Sequence, residues 1–113
     1  MFFVYILASK RNGTLYIGHT DDLGERIYQH IQKAPLGEHK GFTAKYTCKK
    51  LVWFETHKTR ESAFKRERQM KKWNRAWKIR RITSGNPDWL DLYEGLTTDQ
   101  VYHPDREYVS EKL

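Results

Sequence analysis

The first half of the chain alternates short apolar runs with turn residues in a way that predicts a β-hairpin. Residues 2–7 are apolar on both alternating faces, which is typical of a strand covered on both sides. Asn12-Gly13 is a strong hairpin signal, and a second strand-like run, residues 15–19, follows it. We therefore expect two antiparallel strands joined by a turn.

The length of that turn decides where Tyr5 and Tyr16 lie. Paired residues of an antiparallel hairpin share a face of the sheet, so a loop with an even number of residues puts both tyrosines on the same side. A two-residue turn would leave them roughly 13 Å apart along the strand. A loop over residues 10–13 would instead pair Leu7 with Tyr16 and bring Tyr5 within diagonal reach. We predict this longer loop, although β-propensity alone would explain both tyrosines as ordinary strand aromatics.

A helix is predicted over residues 23–33, because possible N-capping residues stand at positions 20–22 and a proline and a glycine follow the segment. Its buried stripe comprises Leu23, Ile27 and Ile31. Arg26 and His30, four residues apart, project together along the edge of that stripe. Such a pair indicates an anion site, and a partly exposed rim of the helix is the alternative.

The second half of the chain predicts one strand and a helical region. Residues 34–50 form a long loop, and residues 51–57 then alternate as a third strand, with the odd positions on one face. Thr59 is a suitable N-cap for a helix that continues to about residue 82, with a bend near Asn74. Residues 88–93 form a further short helix or turn. We expect one domain over residues 1–94 and an acidic, poorly ordered tail over residues 95–113.

One carboxylate falls in the apolar stripe of the helix that follows Thr59. Glu67 shares a face with Ala63, Met70, Asn74 and Trp77 when the segment is plotted as a helix. A carboxylate that faces a core is costly unless it is paired or bound to a metal. The pattern leaves both interpretations open: an internal salt bridge, for example to Arg26, or a metal ligand.

The positive charge is concentrated in one part of the chain. The net charge is +7, and residues 58–81 alone carry 11 basic and two acidic side chains. A focused positive field attracts a polyanion, and nucleic acid is the commonest one in the cytosol. A solvated basic helix face is the alternative.

Composition narrows the class of protein further. At 113 residues with 14% aromatics, the chain can form one modest core. Cys48 is its only cysteine, which excludes an internal disulfide and a four-cysteine zinc site and favours a reducing compartment. The longest apolar run, residues 2–8, is too short to span a membrane. We therefore expect a cytoplasmic protein.

The order of these motifs resembles the GIY-YIG nuclease superfamily, and in particular its small, single-domain bacterial branch. The resemblance rests on Val4-Tyr5-Ile6-Leu7, on Tyr16-Ile17-Gly18-His19-Thr20, and on Arg26, His30 and Glu67 after them. The first motif lacks its glycine and has Phe3-Val4-Tyr5 in that place. Asn74 and Asn86 are the candidates for an asparagine that many of these nucleases carry late in the domain.

The resemblance implies an α+β fold, a three-stranded antiparallel sheet flanked by helices. It places the two motif tyrosines, the arginine and the glutamate on one face of the sheet. It also implies hydrolysis of DNA phosphodiester bonds with one divalent metal ion, Mg²⁺ or Mn²⁺, held by Glu67. The implied catalytic residues are Tyr5, Tyr16, His19, Arg26, His30 and Glu67.

Residue chemistry is compatible with these implied roles. Arg26 would clamp the phosphate, and Tyr5 or Tyr16 would take the proton from the attacking water. Because an unperturbed tyrosine has a pKa of about 10, the arginine, the metal or a histidine must assist, and the choice between the tyrosines stays open.

The basic segment is expected to contact the nucleic-acid backbone through ion pairs. The predicted contact residues are Lys45, Lys65, Arg68, Lys71, Lys72, Arg75 and Lys78. Three tryptophans, Trp53, Trp73 and Trp77, either stack on bases or pack in the core.

These observations predict an endonuclease that is structure-selective or weakly sequence-specific. The expected substrates are branched, nicked or single-stranded DNA in repair or recombination. A nucleic-acid-binding module with weak or lost cleavage is the main alternative. A basic adaptor for an acidic protein is a third possibility.

Overall fold

The computed structural model describes residues 1–33 and 48–96. The interior of the predicted long loop, with Lys45, and the chain after residue 96 lie outside the described residues, so the expected tail and domain boundary stay predictions. The sheet comprises β1 (Phe2–Ala8), β2 (Leu15–Thr20) and β3 (Lys50–His57). The helices are α1 (Leu23–Lys33), α2 (Arg60–Lys71) and α3 (Arg75–Gly85), and Tyr93–Gly95 form a 3-10 turn. No helix among the described residues is long and apolar enough to span a membrane.

The three strands form one antiparallel sheet in the order β2-β1-β3. The central position of β1 explains why its sequence is apolar on both faces: every residue from 3 to 8 is buried. The predicted α+β fold, a three-stranded antiparallel sheet with flanking helices, is confirmed.

Helices cover both faces of the sheet. On the first face, the odd-numbered residues of β1 pack against Leu23 and Ile27 of α1. On the second face, the even-numbered residues of β1 pack against Ala63 and Met70 of α2 and Ile82 of α3. We call these the α1 face and the α2 face. Because side chains alternate along a strand, every residue of β1 and β2 can be assigned to one of them.

The hairpin between β1 and β2 has the predicted four-residue loop. Leu7 pairs with Tyr16, and the amide of Ser9 donates to the carbonyl of Thr14 at 3.0 Å. Asn12 has a φ of 58°, a left-handed conformation that asparagine tolerates better than most residues. This register places Tyr5 and Tyr16 on the same face.

Strand β3 departs from the predicted strict alternation. Ile6 pairs with Trp53 but Leu7 pairs with Leu51, so Val52 is an extra residue in a β-bulge. As a result, Leu51 packs on the α1 face, whereas Val52 and Trp53 both pack on the α2 face. The prediction that Leu51 and Trp53 share a face was wrong because the bulge shifts the alternation by one residue.

The predicted bend near Asn74 is a complete break between two helices. Thr59 caps α2 by accepting from the amide of Ser62, as predicted, and Asn74 caps α3 by accepting from the amide of Trp77. Because the helical period is interrupted, Trp77 does not continue the buried stripe of α2 and is 51% exposed.

Candidate active site

Tyr5 and Tyr16 lie side by side on the α1 face, with their ring centroids 6.3 Å apart. Tyr5 is fully buried, whereas Tyr16 is only partly buried. Gly18, which pairs with Tyr5, leaves room for the phenol: a Cβ at this position would lie 2.6 Å from the Tyr5 hydroxyl oxygen. The glycine of the second motif is therefore required by the close approach of the tyrosine of the first.

Helix α1 brings Arg26 and His30 to the same phenol. The Tyr5 hydroxyl lies 3.3 Å from Nε2 of His30, and the Arg26 guanidinium lies near enough to the same phenol to lower its pKa. The His30 ring is also 5.2 Å from the Tyr16 ring. Asp22 positions this helix by accepting from the amide of Glu25 at 3.1 Å. The structure thus joins four of the predicted site residues in one cluster.

The cluster holds Tyr5 in its protonated form. Burial, and then the neighbouring Tyr16, raise the pKa of Tyr5 above its ordinary value of 10.0, and the Arg26 guanidinium offsets only part of this effect. A phenol that keeps its proton can donate it in a hydrogen bond but does not take a proton from water. Tyr5 is therefore suited to positioning its neighbours rather than to acting as a base.

Glu67 occupies the predicted position on the inner side of α2, and its side chain is 12% exposed. One carboxylate oxygen contacts Nδ1 of His19, and the other lies 2.6 Å from Nζ of Lys71. Burial opposes ionisation of this carboxyl, but the hydrogen bonds and charges of Lys71 and His19 outweigh it and lower its pKa. The pairing with Arg26 considered from the sequence is replaced by these two partners.

The expectation that the tyrosines, the arginine and the glutamate share one face of the sheet was wrong. Tyr5 packs on the α1 face, whereas Glu67 and its partner His19 belong to the α2 face, because α1 and α2 cover opposite sides. The two groups approach each other at Gly18 and His19 of the edge strand β2. The negative charge of Glu67 contributes to the raised pKa of Tyr5, so the two halves are electrostatically coupled.

A divalent metal fits this site with few ligands from the protein. No group of three or more His, Cys, Asp or Glu side chains that could hold a metal occurs among residues 1–33 and 48–96. Glu67 is ionised, and Mg²⁺ is often held by one or two carboxylates with waters and substrate phosphates. The donor set therefore suits a hydrated hard ion shared with the substrate, and Lys71 competes for one oxygen of the carboxylate.

The predicted nucleic-acid contacts divide into two groups. Lys65 and Arg68 lie exposed on α2, Lys72 lies exposed at its C-cap, and Lys78 is partly buried on α3. By contrast, Arg75 donates to the carbonyls of Asn12 and Gly13 at 2.6 Å each, which fixes α3 to the hairpin loop. Lys71 is the partner of Glu67, a role that the sequence reasoning missed although the spacing of four residues indicates such a pair.

Neither candidate for the late asparagine contacts this cluster. Asn74 caps α3. Asn86 is buried, donates to the carbonyls of Val52 and Leu90, and accepts from the amide of Leu90. Both side chains therefore have structural hydrogen bonds on the α2 side of the sheet.

Comparison with known proteins shows the family of the chain. Residues 1–80 match the GIY-YIG catalytic domain family. A UPF0213 protein of Staphylococcus epidermidis is 34% identical over 87 residues, which cover 74% of this chain and 95% of the relative. A UPF0213 protein of Staphylococcus aureus is 34% identical over 84 residues, which cover 71% and 92%. No solved structure gives a significant match.

A GIY-YIG domain is a nuclease catalytic domain, that is, a phosphodiester hydrolase with DNA as its substrate. The match covers both strands of the hairpin, α1, β3 and α2, which carry all of the predicted catalytic residues. The chain therefore belongs to the GIY-YIG catalytic domain family.

Proposed function

We propose that the protein is a divalent-metal-dependent DNA endonuclease. The observation that carries the proposal is the joint position of an ionised Glu67, the Arg26 guanidinium and two tyrosines around one edge strand. Hydrolysis of a phosphodiester needs a positioned water, a group that takes its proton, and positive charge near the phosphate. Each of these requirements has a candidate residue in this cluster.

Tyr16 is the proton acceptor in this proposal. Burial raises the pKa of Tyr5 and keeps it protonated, so Tyr5 is a poor base. His30 is buried, and its Nε2 is already in contact with the Tyr5 hydroxyl, so a water reaches it less easily than it reaches Tyr16. Tyr16 is next to both groups and is more exposed than either, so a water can reach it.

Arg26 serves as the phosphate clamp, because its guanidinium offers several donors in a fixed plane. It lies beside Tyr5, close enough to act on the pKa of the phenol. Tyr5 and His30 act as positioning residues for Arg26 and Tyr16. On the α2 face, opposite to Tyr5, His19 orients the Glu67 carboxylate.

Glu67, together with substrate phosphate and waters, would hold Mg²⁺ or Mn²⁺. The ion would stabilise negative charge on the phosphoryl oxygens and the leaving group. Lys71, which neutralises Glu67 in the free protein, would be released toward the nucleic acid.

The basic residues of α2 and α3 contact backbone phosphates, which carry no sequence information, so we expect weak sequence specificity. Branched, nicked or single-stranded substrates would place the enzyme in DNA repair or recombination in the cytoplasm.

A nicking assay tests the proposal. Purified protein is incubated with branched, nicked and single-stranded DNA in Mg²⁺, Mn²⁺ or EDTA. The wild type should cleave only with metal. Glu67→Gln and Arg26→Gln should each lose about 100-fold or more in rate, and Tyr16→Phe should lose more than Tyr5→Phe.

Glu61→Gln is the matched control for Glu67→Gln. Glu61 is on the same helix and pairs with Lys65 at 3.2 Å with the same spacing, but both side chains are exposed to solvent. This variant should cleave like the wild type. Equal activity of the wild type and Glu67→Gln would exclude this active site. Salt-dependent DNA binding without cleavage would support the alternative of a binding module instead.

A further inference from the structure

Two adjoining grooves run along the outer surfaces of α2 and α3 and share the side chain of Trp73. The first, on α2, is lined by Lys65, Arg68, Gln69, Lys72 and Trp73. The second, on α3, is lined by Trp73, Trp77, Arg80, Arg81 and Ser84. The α3 groove has a volume of about 310 Å³, at the lower end of the range of small-ligand sites.

The aromatic part of the α3 groove has the geometry of a stacking platform. Trp77 is 51% exposed, although tryptophan is normally well buried. It packs edge-to-face on Trp73, with ring centroids 6.2 Å apart and an interplanar angle of 72°. Trp73 is fixed in turn by the core and by Arg66, whose guanidinium lies 5.2 Å from its ring. The exposed ring is therefore held in place by neighbours that do not cover it.

The charges around this ring have one sign. No carboxylate lines either groove among the described residues, and Arg80, Arg81 and Lys72 form no ion pair within them. Exposed arginines beside an exposed indole suit a ligand that alternates flat aromatic groups with negative charges. Single-stranded nucleic acid has this chemistry, whereas an acidic peptide lacks the regular stacking groups.

We propose that the two grooves form a binding track for an unpaired nucleic-acid strand, with one base stacked on Trp77 and its phosphates on the arginines and lysines. The proposal rests on the proposed nuclease function and identifies the part of a branched or single-stranded substrate that this surface takes. Residues Trp77, Arg80 and Arg81 lie outside the candidate active site, so binding on the track is separable from cleavage.

Fluorescence anisotropy with two matched probes tests the track. The protein is the full chain carrying Glu67→Gln, in EDTA, so that cleavage does not interfere. One probe is a short labelled oligothymidylate, and the other has the same backbone with abasic sites throughout. In this background, Trp77→Ala should weaken binding of the oligothymidylate by about 5- to 150-fold and that of the abasic strand by less than about twofold. Arg80→Gln should weaken both, because both carry phosphates.

Two further variants control for folding and for nonspecific loss of aromatic surface. Trp77→Phe keeps a stacking ring and should retain most of the affinity. Tyr28→Ala removes an aromatic side chain of similar exposure, 48%, on α1, and should bind like the parent. Equal loss for both probes, or no loss, would overturn the stacking proposal. If Trp77→Ala shows no stacking contribution but the wild type nicks DNA, the stacking proposal is refuted and the nuclease function stands. If Trp77→Ala weakens mainly the oligothymidylate but the wild type does not nick DNA, only the nuclease function is refuted.

Discussion

Gly18→Ala tests the link between the two tyrosine motifs most directly. The added methyl group would lie 2.6 Å from the Tyr5 hydroxyl oxygen, 2.8 Å from its Cζ and 3.3 Å from Cε2 of Tyr16. Ordinary van der Waals contact begins near 3.4 Å, so the phenol or the strand must move by about 0.8 Å. Tyr5 is 0% exposed within a packed cluster and cannot swing into solvent. The hydroxyl must therefore shift relative to Arg26 and His30.

The expected cost has two opposing parts. Overpacking of a core usually costs about 1–3 kcal/mol. Replacing glycine by alanine in a strand recovers about 0.5–1 kcal/mol of backbone entropy. The free energy of unfolding should therefore fall by roughly 0.5–2 kcal/mol, as measured by urea denaturation. The rate of cleavage should fall by about 100-fold, because a displacement of nearly 1 Å is large for catalytic geometry.

Gly85→Ala is the matched control, because a Cβ at Gly85 would have no neighbour within 4 Å. It should leave cleavage unchanged and should not lower stability. In a Tyr5→Phe background, which lacks the nearest oxygen, Gly18→Ala should cost less stability than in the wild type. A Gly18→Ala protein with wild-type activity and stability would refute the argued contact between the two motifs.

Three further predictions follow from the hydrogen bonds and ion pairs. Asn86→Ala removes three hydrogen bonds to backbone groups and should lower the free energy of unfolding by about 2–4 kcal/mol in urea, whereas Asn74→Ala, which removes one exposed cap, should cost only about 1 kcal/mol. Lys71→Gln frees one oxygen of Glu67 and should tighten Mn²⁺ binding to the free protein by about two- to fivefold in a calorimetric titration; unchanged or weaker binding would contradict competition by Lys71. Because the pKa of Glu67 is lowered below its ordinary value of 4.5, its ionised form contributes stability that is complete above that value and is lost as the pH falls through the folded-state pKa. The stability difference between wild type and Glu67→Gln should thus shrink as the pH falls below the ordinary value of 4.5, and a difference that grows there would contradict the assigned sign.

The parts of the fold that depend on local signals were predictable from the sequence. The bounds of α1 agree with the predicted residues 23–33, because capping groups and breakers lie close to both ends. The hairpin register followed from parity and turn length alone. Features set by packing between distant elements were not predictable. The bulge at Val52 has no signature in the alternating pattern, and the break between α2 and α3 removed Trp77 from the stripe to which periodicity assigned it.

The division of the site between two faces is also a consequence of strand parity. Tyr16 and Gly18 are separated by two residues and share the α1 face, whereas His19 is three residues from Tyr16 and must lie on the α2 face. Residues 16–19 of the edge strand therefore place the Tyr16 phenol on the α1 face and the His19 imidazole on the α2 face. Tyr5 approaches β2 at Gly18 from the α1 face. Glu67 contacts the next residue, His19, from the α2 face. Because β2 is an edge strand, no further strand of the described sheet separates the two layers on its outer side. In the proposed mechanism, the position of β2 at the edge is thus what would allow residues held by opposite layers to act on one phosphate.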